Sequence, residues 1–430
     1  MALKRKGGAL SPQDVFDACM TDLEDYLKSF STVPIHKISS NINDAKADIE
    51  KSGFIFLNKC TPKGFVDRFL ELHFTEIFKL FPTAFSESDK EEIIKNKNLD
   101  LFQKRRSVSS GMAGFNSGFV FQHPAAKEEQ PQMRVDLASG VSENVYMTQL
   151  PNHRVNVQLL AEMPDVAEFM IKLFGGSLEP GGNVPVCGWD SVKIIRKTNP
   201  NDITQPHCDT YDIDRLQAVW NADEDLKLMF VPGSHTDEFK RLMNRAIKTF
   251  NAKTMFKQHK YFANGKKPGF NPVPFIIPII TLIRKYAVAP PPNSIVIWRQ
   301  RVVHMEGYCT MGSDGFGREK IKTRPAQTRI RAYIGLNFYG NDIPREARIK
   351  LGLASKRHGI VPQMYHGDNT GLVRKYIVAS RSTQYLKRRQ VESGETEKLQ
   401  KFCEESYTEE DLIREVPNRL ERILLTGVNI

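Results

Sequence analysis

The chain has 430 residues, of which 40% are hydrophobic and 10% aromatic, and its formal net charge is +11. This composition is ample for a sizeable core and excludes an intrinsically disordered protein, while no apolar run reaches the roughly 20 residues of a membrane-spanning helix. The N-terminal residues have no apolar core typical of a secretory signal and the six cysteines form no C-x-x-C pair, so we expect a reduced, intracellular, cytoplasmic protein without a zinc ribbon.

The beginning of the sequence has helical periodicity. Ser11 followed by Pro12 predicts the start of a helix, because serine is a favoured N-cap and proline is tolerated at the first helical position. Apolar residues then recur at helical spacing as far as Leu27. A second helix is predicted to end at Gly53 and to lead directly into the short apolar strand FIFL.

Two further helices are predicted before the first long strand. One opens at Thr61, and the other is capped by Gly175 and the glycine after it. Between them, residues 95–132 have the Ser, Gly and Lys content of loops. We therefore expect residues 1–10 to form a basic flexible tail and residues 11–183 to form a helical N-terminal part.

Near Gly188 the sequence changes to short β-type runs separated by turn residues, which is typical of a sandwich or barrel of antiparallel strands. In the last run, RIRAYIGLNFY, apolar residues alternate with a second set that includes Arg329 and Arg331. After this run the chain becomes basic and ends in one charged helix, TEEDLIREVPNRLERILL. We expect residues 184–340 to form the β-rich core and residues 341–430 a basic and helical extension.

The positive charge is concentrated in two segments. Residues 239–285, which we expect to be an insertion in the core, contain eleven Lys or Arg and no Asp or Glu. Residues 345–389 contain eleven Lys or Arg against two acids. Both segments are either solvated basic surfaces or contacts for a polyanion, such as nucleic acid, a phosphate-bearing substrate or an acidic partner.

The sequence contains more His-x-acid pairs than the roughly one that its composition predicts by chance. His235 lies in a Pro-Gly turn, where a local hydrogen bond is the expected role, and His366 lies in the basic C-terminal stretch with no strand beside it. The four pairs are His207/Asp209, His235/Asp237, His304/Glu306 and His366/Asp368.

Two histidines and one carboxylate on one face of a metal are the ligand set of mononuclear non-haem iron sites. At a strand end the first and third residues project to the same side, which suits His207 and Asp209. His304 can supply the second imidazole, because it closes the strand-like run NSIVIWRQRVVHMEG farther along the chain. Arg329 or Arg331 on the next strand can pair bidentately with the carboxylate of a dicarboxylate co-substrate.

The region from Val184 to Tyr339 resembles the phytanoyl-CoA dioxygenase-like family of Fe(II)/2-oxoglutarate-dependent oxygenases. The matching pieces are QPHCD, LQAVWNADEDLKLMFVPGSH, PPNSIVIWRQRVVH and TRIRAYIGLNFY. The resemblance implies an α+β protein whose core is a double-stranded β-helix of the jelly-roll type. It also implies that one arginine binds 2-oxoglutarate and that three residues bind iron, namely His207, Asp209 and His304.

The sequence departs from the family where the co-substrate arginine is expected. A long loop, MEGYCTMGSDGFGREKIKTRPAQ, separates His304 from the last strand. We prefer Arg331, because the residues after it match the family strand best, and Arg329 remains the alternative. Lys193 and Asn337 are candidate contacts for the co-substrate only because of their positions in the sequence. The simpler interpretation is that both are ordinary surface residues of a strand.

The function expected from these features is hydroxylation by a dioxygenase that uses Fe(II), 2-oxoglutarate and dioxygen. A phosphate-bearing small molecule and a nucleic acid both suit the basic segments as substrates, and a protein side chain is a third option. Two alternatives stay open. One is a non-catalytic jelly roll that serves as a structural or binding module and keeps a relic metal triad. The other is a nucleic-acid-binding protein with an incidental barrel.

Overall fold

A computed structural model describes residues 11–80, 85–98, 101, 106–107, 120–121, 157–197, 206, 208, 216–221, 226–248, 276–308, 310–311, 317–319, 327–337, 345–358 and 406–429. The chain divides into two compact units that alternate along the sequence. The first unit comprises Met1–Asn58, Thr198–Leu216 and Asp223–Pro325, and the second comprises Lys59–Lys197, Gln217–Ala222 and Ala326–Ile430. The sequence-based boundaries at residues 10, 183 and 340 remain predictions.

The secondary structure of the described part mixes helices and strands. The helices are α1 (Pro12–Lys28), α2 (Ile42–Ser52), α3 (Phe65–Leu80), α4 (Glu87–Ile94), α5 (Pro164–Leu173), α6 (Asp237–Lys248), α7 (Ile276–Tyr286), α8 (Arg345–His358), α9 (Glu409–Glu415) and α10 (Arg419–Thr426). The strands are β1 (Ile35–His36), β2 (Phe54–Leu57), β3 (Arg106–Ser107), β4 (Val120–Phe121), β5 (Val186–Lys197), β6 (Leu216–Asn221), β7 (Leu226–Phe230), β8 (Ser294–Arg299), β9 (His304–Tyr308), β10 (Thr310–Met311), β11 (Gly317–Glu319) and β12 (Gln327–Asn337). Residues 157–162 are also helical.

Helix α1 begins at the predicted cap. The Oγ of Ser11 accepts a hydrogen bond from the N–H of Asp14 (3.2 Å), and the Asp14 carboxylate accepts one from the N–H of Ser11 (3.1 Å). This reciprocal pair is a capping box, which satisfies amide groups that a helix start otherwise leaves without a partner. The helix then buries one apolar face, formed by Phe16, Cys19, Leu23 and Leu27.

The core of the first unit lies between three helices and a strand pair. Helix α1 packs against α6 and α7. Strands β7 and β9 are antiparallel, with Phe230 opposite His304. The cluster of buried apolar residues that joins these elements includes Met229, Val303 and Met305. In the same unit β1 runs parallel to β2, and β2 is antiparallel to β8.

The second unit is organised around β12, which pairs antiparallel with β5 on one side and β6 on the other. Its register with β5 shifts between Tyr333 and Gly335. Helix α10 packs against β5 and α8, and α3 packs against α4. These helices and mainly antiparallel strands confirm the α+β class. The described strands do not form a closed barrel, and the double-stranded β-helix stays a prediction. None of the described helices has the length and apolarity of a bilayer-crossing segment.

The structure differs from the predicted strand NSIVIWRQRVVHMEG. Strand β8 ends at Arg299, and the chain turns there because the N–H of Val302 donates to the carbonyl of Arg299 (2.9 Å). His304 therefore opens β9 and does not close a continuous strand.

Three other boundaries differ from the predictions. Helix α3 begins at Phe65, after the predicted start at Thr61. The predicted strand KYAVAP begins inside α7, and only Val288 bridges to Phe230 in the described part of that segment. The predicted C-terminal helix is two helices, because Pro417 has no N–H to continue the ladder of hydrogen bonds.

Candidate metal and co-substrate site

The structure describes one of the three predicted metal ligands. His304 lies in the first unit, whereas His207 and Asp209 lie outside the described residues. Arg329 and Arg331 belong to β12, whose backbone is described without their side chains. Among the described residues, no group of three or more His, Cys, Asp or Glu could hold a metal ion. The convergence of the triad therefore stays a prediction, and the surroundings of His304 supply the geometry.

The His304 imidazole is held against an aromatic surface. Its side chain lies in the core, and the whole residue is 5% exposed. The ring stacks on Phe230 with centroids 5.9 Å apart and an interplanar angle of 28°. The Trp298 ring lies 6.0 Å away, and Phe54 packs on Phe230 at 5.4 Å. This packing fixes the plane of the imidazole.

A backbone carbonyl determines which nitrogen of His304 carries the proton. The Nδ1 atom lies 3.1 Å from the carbonyl oxygen of Val302. Because a carbonyl oxygen only accepts hydrogen bonds, Nδ1 must be the donor. In the neutral ring Nε2 then has the lone pair, which is the tautomer that a metal-binding histidine uses when its other nitrogen bonds to a carbonyl.

Val303, the residue before His304, is hydrogen-bonded to the Pro-Gly-Ser-His turn, residues 232–235, and to Val231 next to it. The N–H of Val303 donates to the Oγ of Ser234 (2.8 Å), and the Ser234 hydroxyl donates to the carbonyl of Val231 (2.6 Å). The N–H of Val231 in turn donates to the carbonyl of Val303 (2.9 Å). The sequence singled out this turn as a family motif, and the structure assigns it a contact with the residue before His304.

Helices α1 and α2 hold the same turn. The hydroxyl of Tyr26 donates to the carbonyl of Gly233 (2.9 Å), and the N–H of Gly233 donates to the carbonyl of Ser52 (2.9 Å). Burial raises the pKa of Tyr26. The ring of Phe30 occupies the place where a side chain at Gly233 would begin, and Gly233 has a φ of +71°. This position therefore requires glycine.

The hydrogen bond that the structure gives His235 is long-range, whereas the sequence predicted a local one. Its Nε2 lies 3.0 Å from the carbonyl oxygen of Glu50 near the end of α2. Since that carbonyl accepts, the His235 Nε2 is protonated and is the donor. This histidine thus ties the turn to α2, and its role is structural.

Cys208, between His207 and Asp209, is fully buried. It belongs to the apolar cluster of the first unit that also contains Val303 and Met305, the two neighbours of His304. Cys208 therefore packs in the same core as the residues on either side of His304.

The register of β12 distinguishes the two candidate arginines. Arg331 is opposite Lys193 on β5 and opposite Asn221 on β6, so it lies where β12 has a strand on each side. Arg329 is opposite Ile195 on β5. Of the two other residues named from sequence, Lys193 is thus the cross-strand partner of Arg331, and Asn337 is opposite Val186 at the end of the strand.

Several cations of the two basic segments are paired with acids from elsewhere in the chain. In one of these pairs, the hydrogen bond from Lys285 lowers the pKa of the Glu24 carboxyl, and the Tyr286 hydroxyl makes a smaller contribution. The pairs are Arg245–Asp22 (3.1 Å), Lys285–Glu24 (2.7 Å), Arg345–Glu409 and Lys356–Glu421 (2.8 Å).

No protein-family model matches the sequence, and no curated protein matches it significantly. Solved structures with partial similarity include the epimerase SnoN in complex with Fe3+, alpha ketoglutarate and nogalamycin RO, at 14% identity over 70% of this chain and 87% of that chain (TM-score 0.30). EctD from S. alaskensis has 13% identity over 70% and 78% (TM-score 0.29). A putative oxidoreductase from Salmonella typhimurium LT2 has 11% identity over 82% and 86% (TM-score 0.37). At these identities and TM-scores the likeness does not assign an activity to the chain.

Proposed function

We propose that the chain is an Fe(II)- and 2-oxoglutarate-dependent oxygenase of the phytanoyl-CoA dioxygenase-like type, with a double-stranded β-helix core, and that His207, Asp209 and His304 bind the iron. The observation that carries the proposal is the 3.1 Å contact between the Nδ1 of His304 and the Val302 carbonyl, from which we infer the tautomer that has its lone pair on Nε2. Two imidazoles and one carboxylate suit Fe(II) and leave positions open for ligands.

The burial of Cys208 supports the first two ligands. In an extended segment, neighbouring residues project to opposite sides. Cys208 shares its cluster with Val303 and Met305, which flank His304. Around His304 this alternation places Val303 and Met305 in the cluster, and Cys208, the residue between His207 and Asp209, lies in the same cluster.

In this proposal the protein binds and orients the reactants. Bound iron, together with 2-oxoglutarate and dioxygen, supplies the chemistry that hydroxylates an unactivated C–H bond and releases succinate and carbon dioxide. Arg331, with Arg329 as the alternative, binds the distal carboxylate of 2-oxoglutarate through parallel hydrogen bonds. Phe230 and Trp298 shield the imidazole of His304 from bulk water.

The substrate class that suits the charge of the chain is a phosphate-bearing small molecule or a nucleic acid, bound through residues 239–285 and 345–389. The support is the excess of Lys and Arg in these segments. Pairing with acids reduces that excess at described residues such as Arg245, Lys285, Arg345 and Lys356, so we propose the contact elsewhere in the two segments.

The test of the oxygenase proposal compares the purified protein with variants of the ligands and of a rival His-x-Asp pair. The wild type is expected to form succinate from 2-oxoglutarate slowly when Fe(II) and dioxygen are present. Asp209→Ala and His304→Ala should abolish both succinate formation and tight Fe(II) binding, whereas His366→Ala should change neither. Equal effects of all three substitutions, or no 2-oxoglutarate turnover or binding by the wild type, would favour the non-catalytic jelly roll.

A further inference from the structure

The hydroxyl of Ser234 and the imidazole of His304 bond to opposite edges of one peptide group. Ser234 accepts from the N–H of Val303, and His304 donates to the carbonyl of Val302. These two atoms belong to the same planar unit, because the peptide bond between Val302 and Val303 allows no free rotation. We propose that Ser234 is the positioning residue for His304. This inference rests on the proposed metal-binding role of His304.

The direction of each bond in this network is determined. A serine hydroxyl has one proton, and the carbonyl of Val231 can only accept, so that proton points to Val231 (2.6 Å). The Ser234 oxygen therefore accepts the hydrogen bond from the N–H of Val303 through a lone pair. Ser234 is 1% exposed, so water cannot replace the hydroxyl without local opening. Losing it leaves the buried N–H of Val303 without its acceptor, whereas the Val231 carbonyl keeps a bond from the N–H of Ser234 (3.3 Å).

The neighbouring peptide groups are fixed as well, which leaves the Val302–Val303 unit with one defined orientation. The N–H of Val302 donates to the carbonyl of Arg299, and the carbonyl of Val303 accepts from Val231. Donation of the Val303 N–H to Ser234 also polarises the amide, which strengthens its carbonyl as the acceptor for His304. Ser234 thus acts on both the position and the strength of the bond that selects the His304 tautomer.

Ser294 provides a matched control. It is fully buried in the same unit, and its hydroxyl donates to the carbonyl of Pro291 at 2.6 Å. Ser234 makes the same bond, at the same distance, to the carbonyl three residues before it. Ser294 lies at the start of β8, and within the described part of the chain its hydroxyl bonds to Pro291 and not to the Val302–Val303 peptide. Removing either hydroxyl therefore removes a similar local hydrogen bond. Only removal of the Ser234 hydroxyl also removes a bond to the peptide that orients His304.

The experiment uses the full chain with 15N-labelled histidine, in which the His304 signal among the ten histidines is assigned from a His304→Ala variant. The metal-free wild type should show His304 protonated at Nδ1. Ser234→Ala, and the nearly isosteric Ser234→Cys, should shift this ring toward a mixture of tautomers. Ser294→Ala should leave the His304 signal unchanged, although its melting temperature also falls.

A second readout is Mn²⁺ affinity, measured by electron paramagnetic resonance of the free ion. Ser234→Ala should weaken Mn²⁺ binding about 10-fold to 100-fold, as loss of a partner that orients a metal-binding histidine does, and Ser294→Ala should leave the Mn²⁺ affinity unchanged. An unchanged His304 tautomer in both Ser234 variants, or equal effects of the Ser294 control, overturns the positioning role. A tautomer shift in a protein that binds no Mn²⁺ upholds the positioning role and rejects the proposed metal site.

Discussion

A side chain at Gly53 would overlap the Cγ2 of Val302 and would lie 2.6 Å from the Nδ1 of His235. Gly53 also ends helix α2 in the left-handed conformation, with a φ of +89°. Its carbonyl accepts from the N–H of Arg299 (2.8 Å). Helix α2, the turn at residues 232–235 and the chain that enters His304 therefore meet at a point that only glycine fits.

Replacing Gly53 with alanine should destabilise the protein more than the backbone conformation alone explains. The left-handed conformation costs a residue with a Cβ about 1–2 kcal/mol, and overpacking adds about 1–3 kcal/mol. Gly175 has nearly the same φ, +88°, with nothing within 4 Å of an added Cβ, so Gly175→Ala should cost only the first contribution. Urea unfolding of both variants measures the difference. Equal losses would show that the chain around Val302 and His235 moves aside freely.

Glu24 on α1 should stabilise the first unit in a pH-dependent way. Its carboxylate accepts hydrogen bonds from Lys285 (2.7 Å) and Tyr286 (2.9 Å) at the end of α7. Because the Lys285 bond in particular lowers the pKa of Glu24 in the folded chain, the carboxylate contributes stability above the pKa of the unfolded chain, about 4.3. That contribution is lost as the pH falls through the lower, folded value.

Glu24→Gln should therefore reduce the free energy of unfolding at pH 7 by up to about 1 kcal/mol, the range of solvent-accessible ion pairs. The difference from wild type should shrink as the pH falls below about 4. Asp25→Asn is the control, because Asp25 is exposed and pairs with Lys28 on its own helix. Denaturant titrations between pH 3 and 7 check both. A Glu24→Gln effect that is constant across this range would contradict the ionic origin.

Features that depend on neighbouring residues were predicted well from the sequence. The start of α1 follows from Ser11 and Pro12, and the end of α2 follows from Gly53, because caps act within one helical turn. The break before His304 was missed, since β-type residues continue through it. Its cause includes the bond between Val303 and Ser234, which are 69 residues apart in the chain.

Ion pairs and the hydrogen bonds of the candidate site were also missed where they join residues that are far apart in the sequence. Counting residues along the chain overestimated the free positive charge, because Arg245 and Lys285 pair with acids on α1 that are 223 and 261 residues away. The sequence identified His304 as a ligand candidate. Which of its ring nitrogens carries the proton depends on where the Val302 carbonyl lies, and the sequence does not show that position. The role of Ser234 within its turn could not be read from the sequence at all, because no local pattern shows what its hydroxyl bonds to.

Arg422 should stabilise the segment between α9 and α10, where Pro417 interrupts the predicted C-terminal helix. Its Nη1 donates to the carbonyls of Val416 and Pro417, both at 2.8 Å, and the residue is buried. Arg422→Met keeps much of the apolar stem but removes both bonds, so we expect a loss of about 1–3 kcal/mol. Arg419→Met is the control, because Arg419 is exposed and bonds to Asn429, and surface changes usually stay within about 0.5 kcal/mol. Equal losses, measured by urea unfolding, would remove the proposed role of Arg422.

Arg331 is the residue that we expect to bind the distal carboxylate of 2-oxoglutarate. A buried carboxylate needs a partner with several hydrogen bonds, and a guanidinium supplies two in parallel, whereas a lysine is a point charge. Arg331 lies between two strands in register, opposite Lys193 and Asn221, while Arg329 lies two residues nearer the start of β12. An interior strand position is less accessible to water, which favours Arg331.

Arg331→Lys should weaken 2-oxoglutarate binding by about 2–4 kcal/mol, the value of one or two charge-assisted hydrogen bonds. Arg329→Lys, the matched control on the same strand, should cost less than about 1 kcal/mol, as a solvated pair would. Titration of 2-oxoglutarate into both variants with Fe(II) present, by calorimetry without dioxygen, gives the two affinities. The reverse ranking would assign the role to Arg329. If both variants bind 2-oxoglutarate as tightly as the wild type, neither arginine is its partner; if the wild type does not bind 2-oxoglutarate, the co-substrate assignment itself is wrong.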